Sequence, residues 1–211
     1  IAQCFSQVAM MIVQIVMNNT LTYYGAMSQY GESIPLACAG IISKVSFLFF
    51  AFCIGLSQGM QPISSFNYGA KLYDRVKKGF WFCVKISSVV LIGFAVAGYL
   101  FAPQLIALFR DDPEVIACGT AALRFQCISF PLHGWIVMST MMEQSMGKTV
   151  SATFLSVARQ GLFFIPIVLT FSALFGLVGI QITQACADVL TFLCAVPIHL
   201  YIMKGMQQQK L

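Results

Sequence analysis

The sequence predicts an all-α membrane protein with six transmembrane helices. Hydrophobic residues make up 59% of the 211 residues and charged residues only 9%, whereas soluble domains are about 45–50% apolar and about 25% charged. The apolar residues are gathered into long segments, and the basic residues fall in alternate connections between them. Composition, segment length and loop charge therefore all place this chain in a bilayer.

Each predicted span is long enough to cross a membrane. A hydrocarbon core of about 30 Å requires about 20 helical residues. Segments of that length cover about residues 4–24, 35–60, 80–101, 115–142, 150–171 and 177–203. We expect helices because unpaired backbone groups are costly in lipid and because the segments lack the alternating pattern of a membrane β-barrel.

Loop charge predicts the orientation of the spans. The connections after spans two, four and six carry the basic residues Lys71, Arg75, Lys77, Lys78, Lys148, Lys204 and Lys210. Of the other connections, residues 24–34 contain only Glu32 as a charge, residues 103–114 set one arginine against three acids, and residues 172–176 have none. By the positive-inside rule the basic side is cytoplasmic, so both ends of the segment should face the cytoplasm from the cell membrane.

The most basic connection, residues 68–81, is also amphipathic, and we expect it to lie along the cytoplasmic interface before span three. The net charge of +5 is explained by such loops, so nucleic acid is not a predicted partner.

No motif indicates an enzyme, a bound metal or an organic cofactor. The eight cysteines mostly lie inside apolar runs and form neither a C-x-x-C pair nor a zinc-type cluster with histidine, so they are predicted to be small buried side chains. No nucleophile–base arrangement and no phosphate-binding glycine loop is present. The chain starts at Ile1 without a secretory signal, which favours a segment of a longer protein.

Polar residues within the spans are the candidate functional residues, because burying them in lipid is costly. In span one, Gln7, Gln14 and Asn18 share one helix face, which either lines a water-filled cavity or bonds a neighbouring helix. Lys44 lies about ten residues into span two. It is either a cavity residue or a structural tie to an acceptor.

Span four contains a proline, Pro131, which predicts a kink. His133 lies beside it as either a packing residue or a protonatable cavity group. Two charged residues, Glu143 and Arg159, either lie at the interface or pair with each other.

Asp188 lies near the middle of span six, with Gln184 one turn before it. An intramembrane carboxylate is a strong candidate for binding a proton or cation. The alternative is a static ion pair, for which Lys44 and Arg159 are the possible partners.

The end of span two carries the most distinctive motif. Residues 55–70 read GLSQGMQPISSFNYGA, which resembles the signature G-x-x-Q-G-x-Q-P-I-x-x-F/Y-N-Y/F-G-A of the multidrug and toxic compound extrusion (MATE) transporters. Further matches follow in the order of that family. They lie at residues 18–25, 144–148, 159–160, 165–166, 176–179 and 187–188.

This resemblance implies that residues 1–211 form the carboxy-terminal six-helix lobe of a twelve-helix, two-lobe transporter, whose amino-terminal lobe is not in this sequence. It also implies export of small amphipathic or cationic substrates, coupled to H⁺ or Na⁺ as the coupling ion, through a site that opens alternately to each side. In the motif, Gln58, Gln61 and Asn67 would shape a loop at the end of span two, and Asp188 matches a recurrent family aspartate.

One feature of span one departs from the family pattern. Some family members carry intramembrane acids in the spans matching one and four, whereas this chain has glutamine and asparagine in span one. The resemblance therefore does not imply a sodium site of that kind in this lobe.

The sequence leaves two alternative functions open. A lipid-linked oligosaccharide flippase of the same superfamily should line its cavity with several arginines, and only Lys44, Arg124 and Arg159 are available. A six-helix membrane scaffold or channel is the other alternative.

Overall fold

The computed structural model describes residues 2–208, without the side chains of residues 2–6, 160, 207 and 208. Cys4, Gln160 and Lys210, which entered the sequence predictions, therefore lie outside the described side chains. The described residues form helices and no strand, which confirms the all-α prediction. The helices are α1 (Ala2–Ala26), α2 (Ser33–Gly69), α3 (Tyr73–Leu100), α4 (Ala102–Phe109), α5 (Pro113–Ser145), α6 (Thr149–Val157), a π-helix (Ala158–Leu162), α7 (Phe164–Phe175) and α8 (Leu177–Gln208).

Four of the described helices are long and apolar enough to cross a membrane. They are Ser33–Gly69, Tyr73–Leu100, Pro113–Ser145 and Leu177–Met206. The first predicted span falls on the 25-residue helix α1. This helix is continuous, but polar residues interrupt its apolar sequence. The fifth predicted span is divided among α6, the π-helix and α7. Length and composition thus support four of the six predicted crossings among the described residues, and the first and fifth stay predictions.

Three apolar clusters hold the bundle together. One joins α2, α3, α5 and α8 around Phe80, Leu91 and Met142. A second joins α2, α4 and α5 around Ile106 and Leu123. The third joins α1, α7 and α8. The first cluster lies toward the end that holds the α2–α3 and α5–α6 turns, which we call the basic end because the lysine-rich connections are there.

The predicted loop at the end of span two is wrong, because helix α2 continues through the signature motif to Gly69. Pro62 lies inside this helix. Ser57, Met60 and Ser64 are buried against the neighbouring helices, so tertiary packing outweighs the local cost of the proline. The helix ends in a tight turn, in which Lys71 adopts a left-handed φ of 59°.

The amphipathic stretch before span three is also not a separate interfacial helix. From Tyr73 onward it forms the first turns of α3 without a break. Tyr73, Val76 and Phe80 are buried in the first cluster, whereas Trp81 is about half exposed. The amphipathic pattern therefore reflects packing against α2 and α8 on one side and exposure of the basic residues on the other.

Helix α4 was not predicted, because its eight residues fall in a segment interpreted as a loop. Pro103 sits in its first turn, a favourable position for proline. Ala102 and Ile106 are fully buried. A Cβ added at Gly119 would lie 3.2 Å from the Ile106 side chain, so this glycine lets α4 pack closely on α5.

Two glycines shape the turn between α7 and α8. Gly176 ends α7 with φ 59° and ψ −133°, a conformation that other residues rarely adopt. A Cβ on Gly179 would clash with the carbonyl oxygen of Phe171. The two helices can therefore approach this closely only because position 179 has no side chain.

Candidate functional site: a glutamine-lined cavity with a buried ion pair

A cavity of about 740 Å³ lies between α1, α2, α5 and α8, with the π-helix and the start of α7 at its wall. Along α2 its lining extends from Pro35 to Gln58, which is about 35 Å at 1.5 Å per residue. The cavity therefore runs along most of the length of the bundle. A volume of this size is in the range of about 300–1,000 Å³ that small-molecule sites occupy.

The polar lining of this cavity is dominated by amides. Glutamines from four helices face it, namely Gln7, Gln14, Gln58, Gln126, Gln181 and Gln184. Ser43, Ser46 and His133 add further polar groups. Among the described lining residues none is acidic and Arg159 is the one cation. The wall can therefore donate and accept many hydrogen bonds while carrying little charge.

Behind this wall lies a buried ion pair. The Nε of Arg159 donates to Oδ1 of Asp188 over 2.9 Å, and the side-chain amide of Gln184 donates to the same oxygen over 3.3 Å. The Asp188 side chain is fully buried, whereas that of Arg159 is 17% exposed. A buried carboxylate needs such a partner to remain ionised, so the two residues form one unit at the cavity wall.

Arg159 is carried by the π-helix Ala158–Leu162. The amide of Phe163 donates to the carbonyl of Ala158 over 2.9 Å, which is the five-residue spacing of π-helical hydrogen bonds. Short π-helical turns inside α-helices are frequent at functional sites, and they are also one of the recognised causes of kinks. The ion pair therefore ties an irregular segment of the fifth span to the middle of α8.

An aromatic pair forms another part of the wall. The rings of Phe50 on α2 and His133 on α5 stack with centroids 3.9 Å apart and an interplanar angle of 30°. The ring of Phe130 packs edge-on against that of Phe50, with the ring centroids 4.9 Å apart. His133 is buried, and its Nδ1 has no hydrogen-bond partner among the described residues. His133 thus packs against Phe50 and also lines the cavity, and its protonation stays a prediction.

The structure brings several of the sequence candidates together. Gln14, Gln58, His133 and Gln184 line the cavity, and Gln184 also contacts Asp188.

The other candidates lie elsewhere. Asn18 accepts a hydrogen bond from Gln14 over 2.9 Å. Lys44 is exposed and is not part of the lining. Of the signature residues, Gln61 donates to the sulfur of Met141, and Asn67 donates to the carbonyl of Ile63 within its own helix.

The proposed pairing of Glu143 with Arg159 is wrong, because Arg159 pairs with Asp188 instead. Nor is Glu143 an interfacial residue. Its side chain is fully buried, and neither carboxylate oxygen has a hydrogen-bond partner among the described residues.

Sequence reasoning did not select Gln126, Gln181 and Phe50 as site residues. A signal was present for the first, because Gln126 and His133 are seven residues apart and therefore share a helix face. Gln181 lies seven residues before Asp188, so these two residues also share a helix face. Nothing distinguished Phe50 from the many other phenylalanines of the chain.

The profile of the MatE family matches residues 4–170. The Multidrug export protein MepA of Staphylococcus haemolyticus is 29% identical over 178 residues, which is 82% of this chain and 36% of the relative. The protein of the same name from Staphylococcus saprophyticus is 27% identical over 193 residues, or 89% of this chain and 40% of the relative.

Solved structures show the same fold. A crystal structure of a MATE protein in the bent conformation superimposes with a TM-score of 0.90 at 17% identity, covering 99% of this chain and 45% of that one. Another, in complex with MaL6, gives a TM-score of 0.88 at 16% identity, with coverages of 98% and 46%.

These matches define a multi-pass membrane protein with the fold of one half of a two-lobe transporter. The chain belongs to the MatE family, which confirms the resemblance drawn from the span-two motif. It spans only about 36–40% of the length of these curated relatives.

Proposed function

We propose that this chain is the carboxy-terminal lobe of an antiporter that exports amphipathic and cationic drugs across the cytoplasmic membrane, in exchange for H⁺ or Na⁺. The single observation that carries this proposal is the cavity of about 740 Å³, with the buried Arg159–Asp188 pair at its wall. The drug-exporting relatives named MepA support it. The basic end faces the cytoplasm, as the loop charges favour, and the amino-terminal lobe completes the transport site.

Coupling requires an ion-binding group whose occupation changes the shape of the lobe. Asp188 is our candidate, because it is a fully buried carboxylate that contacts the cavity through Arg159 and Gln184. Binding of H⁺ or Na⁺ to Asp188 neutralises the carboxylate and weakens its ion pair with Arg159. Since Arg159 sits on the π-helix, its release frees this irregular segment to bend, and the altered wall binds the drug less tightly.

The flippase alternative fits the cavity less well. A pyrophosphate would require several arginines, but the described lining residues include one, Arg159, whose charge is already balanced by Asp188. Arg124 instead donates to the carbonyl of Tyr99 and lies over its ring.

The test is ethidium efflux from vesicles that contain the full-length protein, with proton and sodium gradients imposed separately. The proposal expects efflux that one of the gradients drives and that disappears when that gradient is collapsed. If folded protein moves no cationic dye under either gradient, the proposal fails, and a scrambling assay with a lipid-linked oligosaccharide then tests the flippase alternative.

A further inference from the structure

We propose that a groove at the basic end of the lobe binds one anionic phospholipid of the cytoplasmic leaflet. The lipid phosphate lies between Lys148 and Lys204, and an acyl chain lies along the apolar wall between α6 and α8. The groove measures about 760 Å³, and none of its described lining residues also lines the glutamine-lined cavity. The lipid site is therefore separate from the transport cavity and requires no transport activity.

The groove lies where the fifth and sixth spans reach the basic end. One wall is the α5–α6 turn with the start of α6, and the other is the part of α8 between Pro197 and Ile202. Val150 and Tyr201 on these walls are 83% and 79% exposed, so the groove is open to its surroundings. By the positive-inside rule this end lies at the cytoplasmic leaflet, which is the leaflet that holds anionic lipids.

The charge of the groove identifies an anionic occupant. Lys148 lines it directly. Lys204 is exposed and shares a face of α8 with the lining residues Tyr201 and Pro197, three and seven residues before it. Both ion pairs that the described residues form involve other cations, and no acidic residue is among the described lining residues. The two ammonium groups are therefore available to a phosphate.

The rest of the groove suits a lipid better than a free phosphate ion. The hydroxyls of Thr149 and Ser151 line the groove beside Lys148 and can donate to phosphate or glycerol oxygens. Phe154 lines it six residues further along α6, which is about 9 Å deeper in the bilayer at 1.5 Å per residue, and Ile198 faces it from α8. A free phosphate would leave this apolar wall uncovered, whereas an acyl chain covers it.

The combination is a recognised setting for lipid headgroups, because basic pockets between membrane helices on the cytoplasmic side bind acidic lipids. Tyr201 adds an amphipathic ring of the kind that is enriched at the level of the headgroups. The long stems of the two lysines can follow the apolar wall while their charges stay at the interface. The groove therefore fits the phosphate and the first part of one acyl chain at the same time.

Native mass spectrometry of the full-length protein in detergent tests this proposal. The anionic probe is dioleoyl phosphatidylglycerol, and the matched zwitterionic lipid with the same chains is dioleoyl phosphatidylcholine. Titration of each lipid gives the dissociation constant of the first bound molecule. We expect the phosphatidylglycerol to bind on the order of tenfold more tightly, since each nearby lysine contributes about fivefold to the binding of an anionic lipid.

The decisive variant combines Lys148→Gln with Lys204→Gln. It should lose the preference for phosphatidylglycerol while its affinity for phosphatidylcholine stays the same. The control combines Lys77→Gln with Lys78→Gln, which removes the same charge from the basic end but outside the groove, and it should keep the wild-type ratio. Phe154→Ala shortens the apolar wall and should weaken the binding of both lipids. Thermal unfolding without added lipid shows that each variant is folded.

The proposal is overturned if the wild type binds both lipids equally, if the Lys148 and Lys204 double variant keeps the preference, or if the Lys77 and Lys78 double variant loses as much of it. Displacement of phosphatidylglycerol by millimolar inorganic phosphate, with Phe154→Ala binding like the wild type, would make the groove a phosphate site and would also overturn it. If neither lipid binds, another part of the full-length protein covers the groove, and the proposal fails.

Discussion

Arg159 and Asp188 form an ion pair through one hydrogen bond, in which Nε of Arg159 donates to Oδ1 of Asp188 over 2.9 Å. The two side chains are buried to different degrees. The carboxylate has no exposed surface, whereas the guanidinium reaches the cavity with 17% of its side chain. Because it is fully buried, Asp188 needs Arg159 to stabilise its charge. Arg159 is the member of the pair that a ligand in the cavity can contact.

Removing Arg159 should therefore destabilise the protein more than removing Asp188. The variant Arg159→Gln strands a fully buried carboxylate, and breaking a buried pair in this way costs about 3–5 kcal/mol. Asp188→Asn leaves a cation that the cavity solvates in part, and the double variant should recover much of the loss. Thermal unfolding of the full-length protein in detergent measures all three.

The exposed pair of Arg110 and Asp112, 3.4 Å apart, provides the matched control for this comparison. The variant Arg110→Gln should cost only about 0–1 kcal/mol, as surface ion pairs generally do. An Arg159→Gln protein that is no less stable than Arg110→Gln would show that the buried pair does not hold the fifth span to α8.

The close contact between α7 and α8 gives a prediction at Gly179. The variant Gly179→Ala should lower the unfolding temperature and the yield, because its Cβ would clash with the backbone oxygen of Phe171, which cannot move aside easily. Gly205→Ala in the same helix is the control, since nothing lies within 4 Å of its added Cβ. That variant should be neutral or stabilising by about 0.5–1 kcal/mol. Equal stability of the two alanine variants would contradict the described packing.

Water in the cavity can be probed by cysteine chemistry on α5. Gln126 lines the cavity, whereas Ile128 is 66% exposed on a face outside it. In a background without the eight native cysteines, Gln126→Cys should react with a water-soluble thiosulfonate, because the reactive thiolate forms in contact with water. Ile128→Cys should react slowly from its lipid-facing position. Faster reaction of Ile128→Cys than of Gln126→Cys would mean that the cavity is not accessible to water.

The stacked pair of Phe50 and His133 should contribute to the binding of flat substrates. The variant Phe50→Leu should weaken ethidium binding about two- to tenfold, since aromatic pairs are worth about 0.5–1.5 kcal/mol beyond the area they bury. Phe82→Leu, at an exposed position of α3 outside the lining, should leave the dissociation constant unchanged. Equal effects of the two substitutions would remove the aromatic surface from the site.

Much of the fold could be predicted because hydropathy and span length are strong signals in a membrane protein. The predictions that failed share one cause, which is tertiary packing. The motif around Pro62 was interpreted as a loop from its resemblance to the family signature, but Ser57, Met60 and Ser64 are buried and extend α2 through it. Similarly, α4 is too short for hydropathy to detect, and it is held by the burial of Ala102 and Ile106.

The candidate site was predictable in parts but not as a unit. Asp188 and Gln184 were selected because polar groups within spans are costly, and Arg159 was one of two possible partners for Asp188. The choice between Arg159 and Lys44 depends on which helix faces meet across the bundle, and the sequence contains no such distance. The π-helix that carries Arg159 has no recognisable pattern either, because its residues also suit an ordinary α-helix.

The most direct test of the central claim is gradient-driven ethidium efflux by full-length protein carrying Asp188→Asn, beside the exposed loop variant Asp111→Asn as a control. The account predicts that Asp188→Asn folds and binds ethidium but gains no efflux from the gradient that drives the wild type, while Asp111→Asn behaves as the wild type does. Gradient-driven efflux that is undiminished in Asp188→Asn would contradict the account and place the coupling group elsewhere.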